Sequence, residues 1–217
     1  MFQPTSAIEE RGAELLGKLH PLTERLGSPG ALAALTALSA QFPRVSDLPT
    51  LRKFLKAYSA DILVPIELPA IYKSFLHASR NELRELLSLD YQLREQMTLR
   101  ELAVASQVVG TTQLKRLRPL RDQRFVQRYL QAVEKGEARG WHTLVYGLIL
   151  HLYSLPVRQG LAGYSLRTLG GFIKSASRPL LLDEAQCRNL SDELCAGLNR
   201  SIEAILTLAS EARPQLS

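Results

Sequence analysis

Histidine and cysteine, the residues that most often bind transition metals, are few in this chain and widely spaced. Cys187 and Cys195 lie eight positions apart on one predicted helix, so their Cα atoms would be about 12 Å apart, too far for a disulfide. We therefore predict no disulfide, and expect both cysteines to be small apolar groups in a reducing compartment. The histidines are His20, His77, His142 and His151. No two of them have the spacing of three or four that would place two imidazoles on one ion, so we also predict no metal site.

One short motif could supply a nucleophile. Gly163-Tyr164-Ser165 resembles the start of the Gly-x-Ser-x-Gly turn that exposes a catalytic serine, but Arg167 occupies the position of the second glycine and no strand is predicted before it. The nearby glycines stand among helix-forming residues and form no phosphate-binding loop. We predict no catalytic and no cofactor-binding residues, and a protein that is not an enzyme. A small helical enzyme with a site assembled from distant residues is one alternative.

The chain is basic, with twenty arginines, seven lysines and a formal net charge of +6. Arginine favours bidentate contacts with carboxylates or phosphates, so an acidic protein surface and a nucleic acid both suit this composition. Residues 115–128 carry six basic side chains and one acidic side chain around Phe125. Because this segment lacks a recognition motif, we expect a solvated helix face or a site for an acidic partner. A helical nucleic-acid-binding regulator is the alternative function.

Helices must position all of these residues, because apolar side chains recur at spacings of three and four and no segment alternates as a strand would. We predict an all-α fold, a single-domain bundle of about nine or ten helices, two of them before residue 45. Pro65 is expected to end one helix. The helix from Trp141 to Ser154 is apolar on all sides and should be central. Pro156 should begin its partner, and Asp183 should cap the last helix.

Residues 1–217 are expected to form one domain, because no repeat, low-complexity tract or long linker divides them. We assign residues 1–48 to N-terminal helices and a loop, 49–212 to the helical core and 213–217 to a mobile tail. The N-terminus lacks a secretory signal pattern, and the longest apolar run, 144–153, is far shorter than the ~20 residues of a membrane span. We therefore expect a cytoplasmic protein without a membrane segment.

Glycines are concentrated on one face of a helix in the C-terminal half. Each lowers helix propensity by roughly 1 kcal/mol relative to alanine, so we expect a close contact that compensates. This contact is either internal helix packing or a subunit seam. Tyr164 lies among them and should order the helix junction through a buried, hydrogen-bonded hydroxyl. The glycines of this face are Gly160, Gly163, Gly170 and Gly171.

Two blocks of the sequence carry a resemblance to a known family. The first block is residues 93–117, where the resemblance rests on Arg100, Glu101, Leu102 and Gly110. The second block comprises the apolar helix 142–152, Gly163-Tyr164-Ser165, then Pro179 and Gln186. In order, spacing and helical phase these blocks resemble the urease accessory protein F (UreF) family, whose members are all-helical. The resemblance spans about residues 51–206.

The chain departs from the family pattern at two places. The N-terminal signature, a Leu-Pro-Val-Gly element followed by an aromatic-serine pair and Gly-Leu-Glu, is absent, and residues 42–49 stand in its place. In the family's Pro-x-Gly-Gln element, Pro179 is followed by Leu180, Leu181 and Leu182, and Ala176 occupies a usually basic position. We expect a divergent member whose fold is retained and whose partner surface has shifted.

The resemblance implies a non-catalytic role in the maturation of the nickel enzyme urease. Members form homodimers and join a second accessory protein (UreD, also called UreH) and a nickel-carrying GTPase (UreG), helping to deliver nickel to apo-urease. We expect a scaffold dimer whose arginines hold acidic partner surfaces, with no cofactor of its own. By the resemblance, partner contact falls on Lys174, Arg178, Pro179 and Gln186.

Overall fold

A computed structural model describes residues 45–96 and 100–211 of the chain, without the side chains of residues 100–102, 105 and 208–211. Within these ranges the fold is all-α, as predicted, and no strand is present. No helix there is both long and apolar enough to span a bilayer. The described chain forms seven continuous helices. The first, α1, consists of Leu48–Tyr58, a π-helical segment over Ser59–Glu67, and Leu68–Ser79. The others are α2 (Leu83–Glu95), α3 (Arg100–Arg116), α4 (Arg124–Glu134), α5 (His142–Leu152), α6 (Val157–Ser177) and α7 (Glu184–Glu211).

The predicted total of nine or ten helices is therefore wrong for the part of the chain that the structure describes. Two of the predicted helices precede residue 45 and lie outside the described residues, as does the predicted tail 213–217. The other difference arises at Pro65, which was expected to end a helix but lies inside the π-helical segment of α1. Proline has no N–H and crowds the carbonyl four residues earlier. The wider π turn, with hydrogen bonds from residue i to i+5, accommodates it.

The helix α5 is central to the bundle, as its all-round apolar sequence predicts. Its residues from His142 to Leu150 are all buried, and it packs on both α1 and α3. Gly147 allows α5 to approach α1 closely, since a methyl group at this position would lie 2.8 Å from Ser74 Cβ. The Ser74 hydroxyl also donates a 2.7 Å hydrogen bond to the Leu144 carbonyl. The contact between α1 and α5 is thus fixed by backbone proximity and by a buried polar bond.

A buried carboxylate on α2 fixes the position at which α5 begins. Asp90 is 2% exposed. Its Oδ2 accepts hydrogen bonds from the Tyr129 hydroxyl at 2.7 Å and the Gly140 N–H at 3.0 Å, while Oδ1 accepts from the Arg139 N–H at 2.7 Å. The Trp141 indole N–H donates to the Asp90 backbone carbonyl at 3.2 Å. One side chain of α2 therefore holds α4 and the connection from α4 to α5.

The helices α6 and α7 meet beside the N-terminal part of α1. α6 begins directly after Pro156, and α7 begins after its cap, Asp183, as the sequence predicts. The Phe172 ring of α6 packs edge-on against Phe54 and Tyr58 of α1, with ring centroids 5.4 and 4.9 Å apart. This aromatic cluster holds the end of α6 that precedes the turn against α1, and α6 also packs extensively on α7.

Candidate functional site

The predicted partner-contact residues lie together at the turn that joins α6 to α7. Lys174 and Arg178 are one helical turn apart at the end of α6, and both are exposed, as is Pro179. Neither basic side chain forms an ion pair with a described residue. Cations at a helix C-terminus also stabilise the helix dipole, so position alone does not make these residues a binding site.

Gln186, the fourth predicted partner-contact residue, has a local structural role at the start of α7. Its side-chain oxygen accepts a 3.0 Å hydrogen bond from the Asp183 N–H, and the Asp183 carboxylate accepts a 2.7 Å bond from the Gln186 N–H. This reciprocal arrangement is a capping box, which satisfies two of the backbone donors left free at the start of a helix. Gln186 thus fixes the angle at which α7 leaves the turn.

The turn itself is closed by backbone hydrogen bonds and presents one leucine to solvent. The Leu182 N–H donates to the Ser177 carbonyl at 2.9 Å, the bond that closes a Schellman motif. Leu181 sits at the left-handed position of this motif, with φ of 52°, and is 91% exposed. Leu180 and Leu182, on either side, are partly buried against the core. Leu181 occupies the position of the glycine in the family's Pro-x-Gly-Gln element, and the positive φ explains why glycine suits that position.

An open groove of about 490 Å³ runs between α6 and α7 next to the turn. Its apolar lining includes Ile173 and Leu182, and its basic lining includes Lys174 and Arg188. Glu184 is the acidic side chain on this lining, and it lies 3.6 Å from the Arg188 guanidinium. The groove therefore has an apolar floor and a rim that is basic on the α6 side.

Cys187 also lines this groove, and its surroundings make its thiol unreactive. Burial raises its pKa above the usual value, and the charges of Asp183 and Glu184 raise it further. A thiol with a raised pKa stays protonated at neutral pH and is a poor nucleophile. Cys187 and Cys195 are both free, as their spacing predicts.

The glycines of α6 have different surroundings from one another. A methyl group at Gly160 would lie 2.5 Å from a Leu150 methyl carbon, so this glycine allows close packing of α6 on α5. At Gly170, no atom of the described residues lies within 4 Å of where a methyl group would be. Gly163 and Gly171 are partly buried. Internal packing thus accounts for Gly160, and a subunit seam stays a prediction for Gly163, Gly170 and Gly171.

Tyr164 belongs to a buried polar cluster that the sequence did not reveal. Its hydroxyl and that of Tyr58 both form hydrogen bonds with the Glu67 carboxylate, the Tyr58 bond being 2.8 Å long. The Tyr146 ring packs against Tyr164 with centroids 5.2 Å apart, and its hydroxyl donates to the Gly160 carbonyl at 3.0 Å. The cluster ties the π-helical segment of α1 to α5 and α6.

The π-helical segment is what brings Tyr58 and Glu67 together. They are nine residues apart, which is about two and a half turns of a regular α-helix and would place them on opposite faces. The wider turns between Ser59 and Glu67 rotate the second side chain onto the face of the first. A signal in the sequence could have indicated Glu67, because it is the one charged residue between Asp61 and Lys73 in an otherwise apolar stretch.

The environment of Glu67 changes its acidity. Burial raises its pKa from 4.5 to about 7, and the hydrogen bonds with Tyr58 and Tyr164 oppose that rise. Burial also raises the pKa of both tyrosine hydroxyls well above 10, and the charge of Glu67 adds to this effect. The tyrosines therefore remain protonated donors at every pH at which Glu67 titrates.

Replacing Glu67 with glutamine should remove a pH dependence of stability. Between pH 4.5 and about 7 the unfolded state loses the carboxyl proton while the folded state keeps it. The free energy of unfolding of the wild type therefore falls as the pH rises through this window. The fall should reach up to about 3 kcal/mol. Urea unfolding near pH 5 and near pH 8 measures it for the wild type and for Glu67→Gln.

The matched control is Glu95→Gln, a change at an exposed glutamate of α2. This variant should retain the wild-type difference between the two pH values. If Glu67→Gln retained it as well, the carboxyl group of Glu67 would not be the group that titrates.

Most of the described region matches a known protein family. A family model described as UreF matches residues 45–195, more than half of the chain. The chain belongs to the UreF family. The urease accessory protein UreF of Lachnoclostridium phytofermentans is 25% identical to it over 144 residues. This alignment covers 66% of the chain but only 63% of that relative, so the chain spans less than two thirds of the relative's length.

UreF membership confirms the resemblance found in the sequence and bears on the question of catalysis. UreF proteins are accessory proteins and not catalytic enzymes, so the family supports the prediction that the chain is not an enzyme. In the described ranges, no group of three or more His, Cys, Asp or Glu side chains is placed to hold a metal ion. His142 instead lies 3.0 Å from the Gln113 side-chain oxygen, and His77 lies 2.8 Å from the Glu82 carboxylate.

The basic segment 115–128 covers the end of α3 and the start of α4 in this UreF fold. Its six basic side chains are all exposed, and Arg118 forms an ion pair with Glu134. The Gln127 side-chain amide donates to the carbonyls of Leu117 and Leu120, at 3.2 and 2.9 Å, and so caps the end of α3. The segment is thus exposed and has a local structural role at the end of α3, and a site for an acidic partner stays a prediction.

Proposed function

We propose that this UreF-family chain is a urease accessory protein that acts as a non-catalytic scaffold. In this proposal a homodimer couples a nickel-carrying GTPase of the UreG type and a UreD/UreH-type protein to apo-urease, with nickel as cargo. The observation that carries the proposal is that Lys174, Arg178 and Pro179 form one exposed basic surface within the matched residues 45–195. The name of the Lachnoclostridium relative supports urease as the client.

The chemistry of that surface suits an acidic protein partner. The guanidinium of Arg178 has no described carboxylate to neutralise it and can bind a partner carboxylate through two parallel hydrogen bonds. Gln186 contributes by fixing the angle between the turn and α7. Complementary charge of this kind mainly sets association rate and partner choice, so the interaction should weaken as salt rises.

Copurification is the direct test of this function. The chain is coexpressed with the UreG-type GTPase, the UreD/UreH-type protein and the urease apoprotein, and complexes are isolated at low salt. The proposal expects the chain to elute with at least one of these proteins at a fixed stoichiometry. Absence of any complex at low salt would rule it out.

Replacing Arg178 with glutamate should weaken partner binding without unfolding the protein. Charge reversal at an exposed basic surface should raise the dissociation constant for the partner by about tenfold or more, because attraction to partner carboxylates becomes repulsion. Stability should change by only ~0.5 kcal/mol, since the side chain is exposed. Calorimetric titration with each purified partner and thermal unfolding measure the two effects.

Arg121→Glu is the matched control, because Arg121 is also exposed but belongs to the basic segment 115–128 and not to the turn between α6 and α7. It should leave partner binding unchanged. The nucleic-acid alternative expects the reverse, namely that Arg121→Glu weakens binding to unrelated DNA, in a manner that depends steeply on salt, and that Arg178→Glu does not.

A further inference from the structure

Both the backbone conformation and the solvent exposure of Leu181 are energetically unfavourable. Its φ of 52° lies in the left-handed region, which penalises residues with a Cβ. Its side chain is 91% exposed, more than the other large exposed hydrophobic residues of the described chain. The other non-glycine residues with positive φ there, Asn81 and Ser154, are small and polar and tolerate the position better. Glycine would relieve both penalties at Leu181.

The packing of the turn gives Leu181 no internal role. Leu180 and Leu182 contact the core, whereas Leu181 points away from it between them. The Schellman hydrogen bond from Leu182 to Ser177 is a backbone interaction that glycine at position 181 would preserve. The fold of the described residues therefore does not require leucine at this position.

The surroundings of Leu181 indicate the chemistry of what could cover it. Arg178 precedes it in the same turn, and Lys174 lies one helical turn further back, both exposed. On the other side is the groove between α6 and α7, with its apolar floor. An apolar projection with cations beside it is complementary to an apolar pocket bordered by carboxylates.

We propose that Leu181 is the apolar anchor of the partner contact, inserting into an apolar socket with a carboxylate rim on an accessory protein, while Arg178 and Lys174 pair with the rim. This inference rests on the proposed accessory function and adds to it the residue that supplies most of the binding energy. It also explains why this chain differs from the family pattern at the glycine position. Leu181 adapts the chain to a partner with such a socket.

The test compares three changes at one position in the full-length chain. Leu181→Gly and Leu181→Asn remove the apolar side chain and suit the left-handed conformation, whereas Leu181→Met keeps an apolar side chain. Binding is measured by calorimetry against the purified UreG-type GTPase and the UreD/UreH-type protein. For the partner that binds the wild type, Leu181→Gly and Leu181→Asn should raise the dissociation constant about tenfold or more, and Leu181→Met should change it by less than about threefold.

Thermal unfolding of the same variants separates binding from folding. The melting temperature of Leu181→Gly should stay constant or rise by up to about 3 °C, because the left-handed strain is relieved. Weaker binding by a protein that is at least as stable cannot result from unfolding. The control is Leu166→Asn, at another exposed leucine of α6, which should leave the dissociation constant unchanged.

Three outcomes would overturn the inference. If Leu181→Gly binds as the wild type does while Arg178→Glu binds weakly, the accessory function stands and Leu181 is not the anchor. If Leu181→Asn converts a dimer to a monomer in light scattering, the anchor contacts a second copy of the chain. If that change increases hydrogen exchange in residues 1–44, the N-terminal segment of the same chain covers it. Failure of the wild type itself to bind either protein would instead refute the accessory function.

Discussion

Replacing Gly147 with alanine should lower the free energy of unfolding by about 3 kcal/mol or more. A methyl group at this position would lie 2.8 Å from Ser74 Cβ and 3.0 Å from the Phe75 backbone nitrogen. Both belong to α1, which cannot yield as a flexible side chain would. Relief requires α5 and α1 to separate, and this separation would disturb the hydrogen bond from Ser74 to the Leu144 carbonyl. The melting temperature should fall by about 8 °C.

The control for Gly147 is a glycine in an equally helical but open position. In the part of the chain that the structure describes, no atom lies within 4 Å of where a methyl group at Gly197 of α7 would be. Gly197→Ala should therefore stabilise the protein by up to about 1 kcal/mol through helix propensity alone. Chemical unfolding of both variants gives the comparison. Equal effects of the same sign would show that α5 and α1 are not in close contact.

Replacing Asp90 with alanine should destabilise the protein by about 3–5 kcal/mol. The change leaves the Tyr129 hydroxyl and the N–H groups of Arg139 and Gly140 without their acceptor in a buried site. The connection before α5 would lose its attachment to α2. Hydrogen exchange should therefore increase first at residues 139–141, and urea unfolding should give a lower midpoint.

Tyr129→Phe tests how much of the stability lost on replacing Asp90 comes from its hydrogen bond with Tyr129. It removes one donor and leaves the Asp90 carboxylate with its two backbone donors, so it should cost only about 1–1.5 kcal/mol. In the double variant the two costs should not add, because the residues share a hydrogen bond. Additive costs would mean that Asp90 and Tyr129 act independently, contrary to the 2.7 Å contact.

The parts of the fold that the sequence predicted are those governed by local rules. The all-round apolar pattern of residues 141–154 predicted a central helix, and α5 is central. Pro156 and Asp183 marked the starts of α6 and α7, because a proline at a helix start and an acidic cap act through their immediate neighbours. The predicted partner-contact residues lie near one turn because they are close together in the sequence, and their role stays a prediction.

Features that depend on distant contacts could not be predicted in this way. Pro65 was expected to end a helix, but it lies inside a π-helical segment whose last residue, Glu67, forms a hydrogen bond with Tyr164 of α6. Asp90 stands in an ordinary amphipathic pattern, and its donors come from residues about fifty positions later. The exposure of Leu181 is likewise a property of the folded turn, because its neighbours Leu180 and Leu182 have the same side chain and are partly buried.

The π-helical segment has a consequence for how this sequence can change over evolutionary time. Substitutions within Ser59–Glu67 leave its length unchanged, whereas loss of one residue would favour a regular α-helix. Tyr58 and the glutamate would then be eight residues apart on that helix, which places them about 80° apart around its axis, and Tyr58 would no longer face Glu67. Aligned relatives that share the Tyr58 to Glu67 hydrogen bond should therefore show no gap across this stretch. A gap there should coincide with loss of one of the two side chains.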